Sequence, residues 1–134
     1  MTVPSVFTRI LDGELPGRFV LRDARCAAFL TVAPLRPGHV LVVPVEEIDS
    51  WLDLPPELAG HLVLVAQRVG RAVQAAFGSA RVGLVVAGLE VPHAHLHVVP
   101  VDTMADLDFA RADPAPDPAA LDDAQARILA RLPA

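Results

Sequence analysis

One long amphipathic helix in an otherwise strand-like chain constrains the fold most. Residues 56–77 carry apolar side chains at helical spacing, with the charged side chains elsewhere. Pro55 and Pro56 favour a helix start, and Gly78 favours its end. A TIM barrel or a doubly wound sheet would need repeated strand and helix units, which the chain lacks. The pattern therefore predicts an α+β fold with an antiparallel sheet covered on one face.

The remaining pattern divides the chain into a body and a tail. Residues 5–11 predict a short helix with Ser5 as its cap, and the apolar runs rich in β-branched residues predict strands. After Pro100 the composition shifts to Asp, Pro and Ala, which predicts a linker with little power to pack, followed by an amphipathic helix. We expect one domain over residues 1–101 and a tail over 102–134. The predicted strands are 18–23, 26–32, 39–45, 80–88 and the segment 91–100.

Composition excludes several classes of function. The net charge is −5 and all eleven basic residues are scattered arginines, which argues against binding to long nucleic acid. The apolar content of 53% is high, yet charges interrupt every run before it could span a membrane, so we expect a buried subunit interface. The N-terminus lacks a signal-peptide pattern, which predicts a cytoplasmic protein. Cys26 is the sole cysteine, which excludes an intrachain disulfide.

Three of the five histidines lie in the stretch VPHAHLHVVP, at every second position. In a strand, residues i, i+2 and i+4 project from the same face. His93, His95 and His97 are therefore expected to form one row of imidazoles over a cleft. Pro92 and Pro100 are expected to limit the strand.

Three interpretations of this row compete. The histidines could be hydrogen-bonded without any chemistry, or a His-x-His pair could bind a metal ion. No clear carboxylate or cysteine completes such a metal site. Alternatively, a neutral imidazole attacks a phosphate and forms a phospho-histidine intermediate, while its neighbours hold the phosphate oxygens. Alternating histidines supply that arrangement.

The motif HAHLHVV resembles the signature of the histidine triad (HIT) superfamily of nucleotide hydrolases and transferases. The stretch PGHVLVVP and the pattern of the long helix extend the resemblance over residues 5–101. It implies an α+β meander sheet, a homodimer with joined sheets, and no cofactor. It also implies that His95 attacks the α-phosphate of a nucleoside phosphoramidate, a dinucleoside polyphosphate or an AMP ester. By the same resemblance, His97 contacts the phosphate, His93 orients the site and His39 lies beside the phosphate. His61 matches no functional position and is expected to be solvated.

The resemblance also places the nucleotide-binding residues and shows where this chain departs from the family. Phe29, Thr31 and Val32 correspond to the base and ribose pocket, with Thr31 where many members have Asp or Asn. The loop before the triad is short, and Leu89 stands where Gln is expected. Glu90 is expected to offer the phosphate only its backbone N–H. Loss of one such donor can cost about 3 to 4 kcal/mol of transition-state stabilisation. A nucleotide-binding module with weak or vestigial activity is therefore the alternative to an enzyme.

Some family members hold a structural zinc ion with two N-terminal cysteines and later histidines. In this chain Ser5 and Thr8 stand in the cysteine positions, and Glu47 stands in a histidine position. Because hydroxyl groups are poor substitutes for thiolates, we predict no metal.

Overall fold

A computed structural model describes residues 3–133 of the chain. Short 3-10 turns lie at Trp51–Asp53, Met104–Leu107 and Phe109–Arg111. The helices and strands are, in chain order, α1 (Val6–Leu11), β1 (Phe19–Arg22), β2 (Cys26–Leu30), β3 (Val40–Pro44), α2 (Pro56–Phe77), β4 (Arg81–Val85), β5 (Leu96–Val101) and α3 (Pro118–Leu129).

The five strands form a single sheet in the order β1-β2-β3-β5-β4, and every pairing is antiparallel. The predicted α+β class with an antiparallel sheet is thereby confirmed. Antiparallel neighbours that follow each other in the chain need only short turns. Strands β3 and β5 are neighbours in the sheet, but α2 and β4 lie between them in the sequence. In the β3–β5 register Leu41 lies opposite His97, and Val40 lies opposite Val98.

Helix α2 covers one face of the sheet and spans the residues that the periodicity predicted. Its apolar side buries Leu62, Val69 and Val73, which are 0% exposed. Burial of each such side chain stabilises the fold by about 1.5–3 kcal/mol. Gly78 adopts a left-handed conformation (φ +64°) and its N–H bonds to the Gln74 carbonyl, which ends the helix. Helix α3 docks on the same side through the buried residues Ala124 and Ile128.

The opposite face carries α1, with Ser5 as the predicted cap: its Oγ accepts the Thr8 N–H. Phe7, Ile10 and Leu11 of α1 pack against the apolar residues of β2 and β3 on that face. None of the helices within residues 3–133 is long and apolar enough to cross a membrane.

The start of the tail contacts the body of the domain, although the tail from residue 108 to 118 is mostly exposed, as expected of a linker. Arg36 Nη1 lies 3.0 Å from Asp102 Oδ2 and 2.9 Å from Asp106 Oδ2. Leu107 lies against Gly83 of β4. The carboxylates of Asp102 and Asp106 hold the segment through one arginine of the β2–β3 loop.

Candidate active site

Two histidines form a hydrogen-bonded pair where β3 and β5 adjoin. The backbone N–H of Leu35 donates to His39 Nδ1 at 3.0 Å. A neutral imidazole then carries its proton on the other nitrogen, Nε2. His39 Nε2 lies 2.9 Å from His97 Nδ1 and donates to it. The proton of His97 is consequently on its own Nε2.

The central histidine has the opposite arrangement of its proton. His95 Nδ1 lies 2.7 Å from the carbonyl oxygen of His93, which can only accept, so this nitrogen carries the proton. Nε2 of His95 therefore holds the lone pair. The ring is fixed between Phe7 and His97, with centroid distances of 4.9 and 4.8 Å. A nitrogen with a free lone pair and an N–H donor thus belong to two rings in contact.

His93 is fully buried and makes hydrogen bonds to Pro44, Ser5 and His95. Its Nε2 lies 2.8 Å from the carbonyl oxygen of Pro44, at the end of β3, and must be the donor. Its Nδ1 therefore accepts the hydroxyl proton of Ser5, at 2.7 Å. Because the carbonyl of the same residue receives His95 Nδ1–H, these bonds of His93 set the position of the His95 ring.

The prediction of one continuous strand through the three histidines was wrong. Strand β5 begins at Leu96, so His93 and His95 lie in the segment before it. The N–H of His93 bonds to the carbonyl two residues earlier, which turns the backbone before ladder pairing begins. The rings still lie on a common face, since Phe7 contacts His93 and His95 and the latter contacts His97.

Burial keeps the imidazoles of His39, His93 and His97 neutral. It lowers the pKa of His39 to about 3, with a further contribution from the charges of His97 and His95. Burial, followed by the charge of His95, lowers the pKa of His97 to about 4. The pKa of His93 is also lowered, chiefly by burial. At neutral pH each of these three rings therefore has one donor and one acceptor, as the hydrogen bonds require.

Ser5, Thr8, Glu47 and His93 form a polar quartet beside the triad. The Ser5 N–H and the Thr8 hydroxyl donate to Glu47 Oε1 at 2.6 and 2.7 Å. These bonds lower the pKa of Glu47, and the bond from the Ser5 N–H contributes most. The quartet does not fit the zinc ion that some family members hold, because its hydroxyls are weak ligands and are already bonded to one another.

Phe29, Thr31 and Val32, predicted to bind the nucleoside, line one pocket of about 80 Å³. Phe29 is buried and packs edge-on against Phe7, with the ring centroids 5.7 Å apart. Thr31 Oγ1 accepts the Ala33 N–H, which leaves the hydroxyl proton available for a ligand. Val32 is 68% exposed.

Among the pocket residues that sequence reasoning did not assign to this site are Arg18 and Leu121. Arg18 Nε donates to Asp122 Oδ1 at 2.8 Å, and Gln125 Nε2 donates to the Phe19 carbonyl at 2.9 Å. Helix α3 is thereby joined to the edge of the pocket. No local pattern could indicate this, because about a hundred residues separate the partners.

The structure does not bring Leu89 and Glu90 against the histidines. Leu89 is 92% exposed, and Glu90 is also exposed. Within the described part of the chain, neither makes a hydrogen bond to a triad residue. Their assignment to the substrate site stays a prediction.

His61 is less solvated than predicted, with a side chain 19% exposed. Its Nε2 donates to Asp23 Oδ2 at 2.7 Å, and its Nδ1 accepts from Arg25 Nη2 at 3.0 Å. Burial alone would raise the pKa of Asp23, but N–H bonds from Arg25 and Cys26 and the bond from His61 lower it to about 2. This cluster links α2 to the β1–β2 turn.

An antiparallel sheet that presents alternate histidines from the start of an inner strand defines a histidine triad protein. The HIT domain model matches residues 12–104, and the chain belongs to this family. An uncharacterized HIT-like protein of Borreliella burgdorferi is 32% identical over 102 residues, which are 71% of this chain and 73% of that protein.

Solved structures agree in fold. A Zn-bound histidine triad family protein from Mycobacterium smegmatis superimposes with a TM-score of 0.81 at 26% identity, covering 94% of this chain and 91% of the other. A hypothetical histidine triad nucleotide-binding protein from Sulfolobus tokodaii gives a TM-score of 0.82 at 24% identity, covering 93% and 89%.

Proposed function

We propose that this protein is a nucleotide hydrolase or transferase that cleaves at the α-phosphate through a nucleotidyl-His95 intermediate. One observation carries the proposal: hydrogen-bond partners leave the lone pair on His95 Nε2 and the proton on His97 Nε2, in two rings 4.8 Å apart. This is the pairing of nucleophile and anion donor that phosphoryl transfer needs. The proposed substrates are nucleoside phosphoramidates, dinucleoside polyphosphates and AMP esters.

The reaction has two displacements. First, the lone pair of His95 Nε2 forms an N–P bond, and the bond from phosphorus to the leaving group breaks with its electron pair. The leaving group takes a proton from solvent, and His97 Nε2–H bonds a phosphate oxygen. Then water attacks phosphorus, the N–P bond breaks, and the proton of the water passes to solvent as a nucleoside monophosphate leaves. No cofactor enters either step.

The positions of the other site residues support this assignment. His39 fixes the proton of His97, and His93 fixes His95 through its carbonyl. The pocket lined by Phe29 and Thr31 offers a buried aromatic surface for a base and a hydroxyl for a ribose. The Sulfolobus tokodaii relative, described as a nucleotide-binding protein, has the same fold.

A nucleotide-binding module with weak activity is the second candidate. The exposed Leu89 and the apolar Ala87 in the loop before the triad favour it, because neither side chain can donate to a phosphate. Such a module would bind an AMP-like ligand in the same pocket with little turnover.

Turnover of a fluorogenic adenosine phosphoramidate and of a diadenosine polyphosphate tests the assignment. His95→Ala should lower kcat by about 10³-fold or more, since it removes the nucleophile. His61→Gln is the matched histidine control and should change kcat by less than about threefold. Mass spectrometry of the quenched reaction should show an AMP adduct on the wild type only. AMP binding without turnover by wild type or His95→Ala would refute the enzyme in favour of the module.

We also propose a homodimer. Strand β4 is an edge of the sheet, and Val63 of α2, which is 42% exposed, lines a groove beside it. Leu84 of β4 is 49% exposed beside a groove of about 310 Å³. An unpaired edge with adjacent apolar residues suits a second copy of the chain. Sedimentation of wild type and Leu84→Lys tests this, and a monomeric wild type would refute it.

The division into a domain of residues 1–101 and a tail of 102–134, and the cytoplasmic location, stay predictions of the sequence.

A further inference from the structure

The first part of the tail contacts the histidine pair. The ring of Phe109 meets His97 edge to face, with centroids 4.8 Å apart and planes at 75°. It also approaches His39, at 6.5 Å and 77°. Such edge-to-face pairs contribute about 0.5–1.5 kcal/mol beyond the area that they bury. The ring of Phe109 therefore restricts both imidazoles from the side of the tail.

This contact is held by bonds that converge on the loop before His39. Arg36 binds the carboxylates of both Asp102 and Asp106. Oδ2 of Asp106 also accepts hydrogen bonds from the backbone N–H groups of Asp102 and Thr103. The N–H of His39 donates to the Arg36 carbonyl at 3.1 Å. One arginine thus fixes the tail and the backbone of a site histidine together.

We propose that Phe109 is a positioning residue of the active site, which keeps the His39–His97 pair aligned and dry, and that the tail is part of the site within the same chain. The inference rests on the proposed function. Phe109 reaches no reacting atom; it acts through the two imidazoles. The signal was absent from the sequence because residue 109 lies in a stretch whose composition predicts a linker.

Removal of the ring should act on protonation as well as alignment. Burial is what lowers the pKa of His97 to about 4 and that of His39 to about 3, so water admitted by Phe109→Ala should raise both pKa values. A proton on His97 Nδ1 abolishes the acceptor that His39 needs. Titratable groups on the elements packed around this pair are His95, Arg36, Asp102, Asp106, Asp108 and Arg111.

The kinetic test compares Phe109→Ala, Phe109→Leu and Met104→Ala. Met104 lies on the same segment but is 82% exposed, so its variant is the matched control. Phe109→Ala should lower kcat by about tenfold with a smaller change in KM. The acid limb of its kcat–pH profile should move to higher pH by about one unit. Phe109→Leu should have a kcat and an acid limb close to those of the wild type. Met104→Ala should match the wild type in both. An unchanged kcat and acid limb in Phe109→Ala would overturn the proposal.

A second readout does not need turnover. NMR titration of the imidazole nitrogens should show His97 of Phe109→Ala protonating at higher pH than in the wild type, with the fold intact by amide spectra. Identical titration in the two proteins would overturn the positioning role. A wild type without turnover whose His97 still responds to Phe109→Ala would overturn the proposed function alone.

Discussion

The hydrogen bonds that Ser5 and Pro44 make with His93 allow a stability prediction that does not depend on any activity. Ser5→Ala removes the acceptor for the Thr8 N–H at the start of α1, which costs about 1 kcal/mol at a helix cap. It also leaves Nδ1 of a fully buried histidine without a donor, at a cost of about 1–3 kcal/mol. We therefore expect Ser5→Ala to lower the free energy of unfolding by about 2–4 kcal/mol.

Urea denaturation followed by circular dichroism measures this loss. With an m value of about 2 kcal/mol per molar, the midpoint should fall by about 1–2 M. Ser50→Ala is the matched control, because the Ser50 hydroxyl caps an exposed 3-10 turn by accepting the Leu52 N–H. The control should lose less than about 1 kcal/mol. Equal losses in the two variants would refute the bond between Ser5 and the histidine.

Three further expectations follow from the same structure. His39 and His97 have lowered pKa values in the folded protein, so the unfolded chain binds more protons below pH 6.5. The free energy of unfolding should therefore fall as pH falls from 6.5 toward about 4, and a urea midpoint that does not change with pH would contradict this. Gly38→Ala should destabilise more than Gly13→Ala, since both have positive φ but only the first would bring a Cβ within 2.6 Å of an α2 ring; equal midpoints would contradict the clash. Burial raises the pKa of the Cys26 thiol to about 12, so an aromatic disulfide reagent should label Cys26 only on unfolding, and rapid native labelling would contradict its burial.

The quartet of Ser5, Thr8, Glu47 and His93 shows how a hydrogen-bonded cluster can hold α1 against the triad. Three of its bonds are 2.7 Å or shorter, and His93 is fully buried. Within residues 3–133, no buried side-chain polar atom lacks a partner. The cluster is therefore satisfied by its own donors and acceptors, which is what makes loss of a single hydroxyl costly.

Much of the fold could be predicted because its signals are local. The helical period of residues 56–77 gave α2 with its bounds, and the β-branched runs gave the strands within a few residues. The histidine segment was harder: alternation correctly placed three rings on one face, but it could not show that pairing begins only at Leu96. A backbone turn made by one N–H bond decided that boundary.

By itself, the sequence determined the order of elements, the apolar faces and the presence of alternating imidazoles, since these follow from spacing along the chain. Only the tertiary structure decided which nitrogen of His97 and of His93 holds a proton. Those choices depend on partners 58 residues away for the His39–His97 pair and 88 for Ser5 and His93. The contacts of Phe109 with His97 and of Arg18 with Asp122 were decided in the same way. Hydrogen-bond direction and ring contact are properties of atoms brought together by folding, and no periodicity of the chain encodes them.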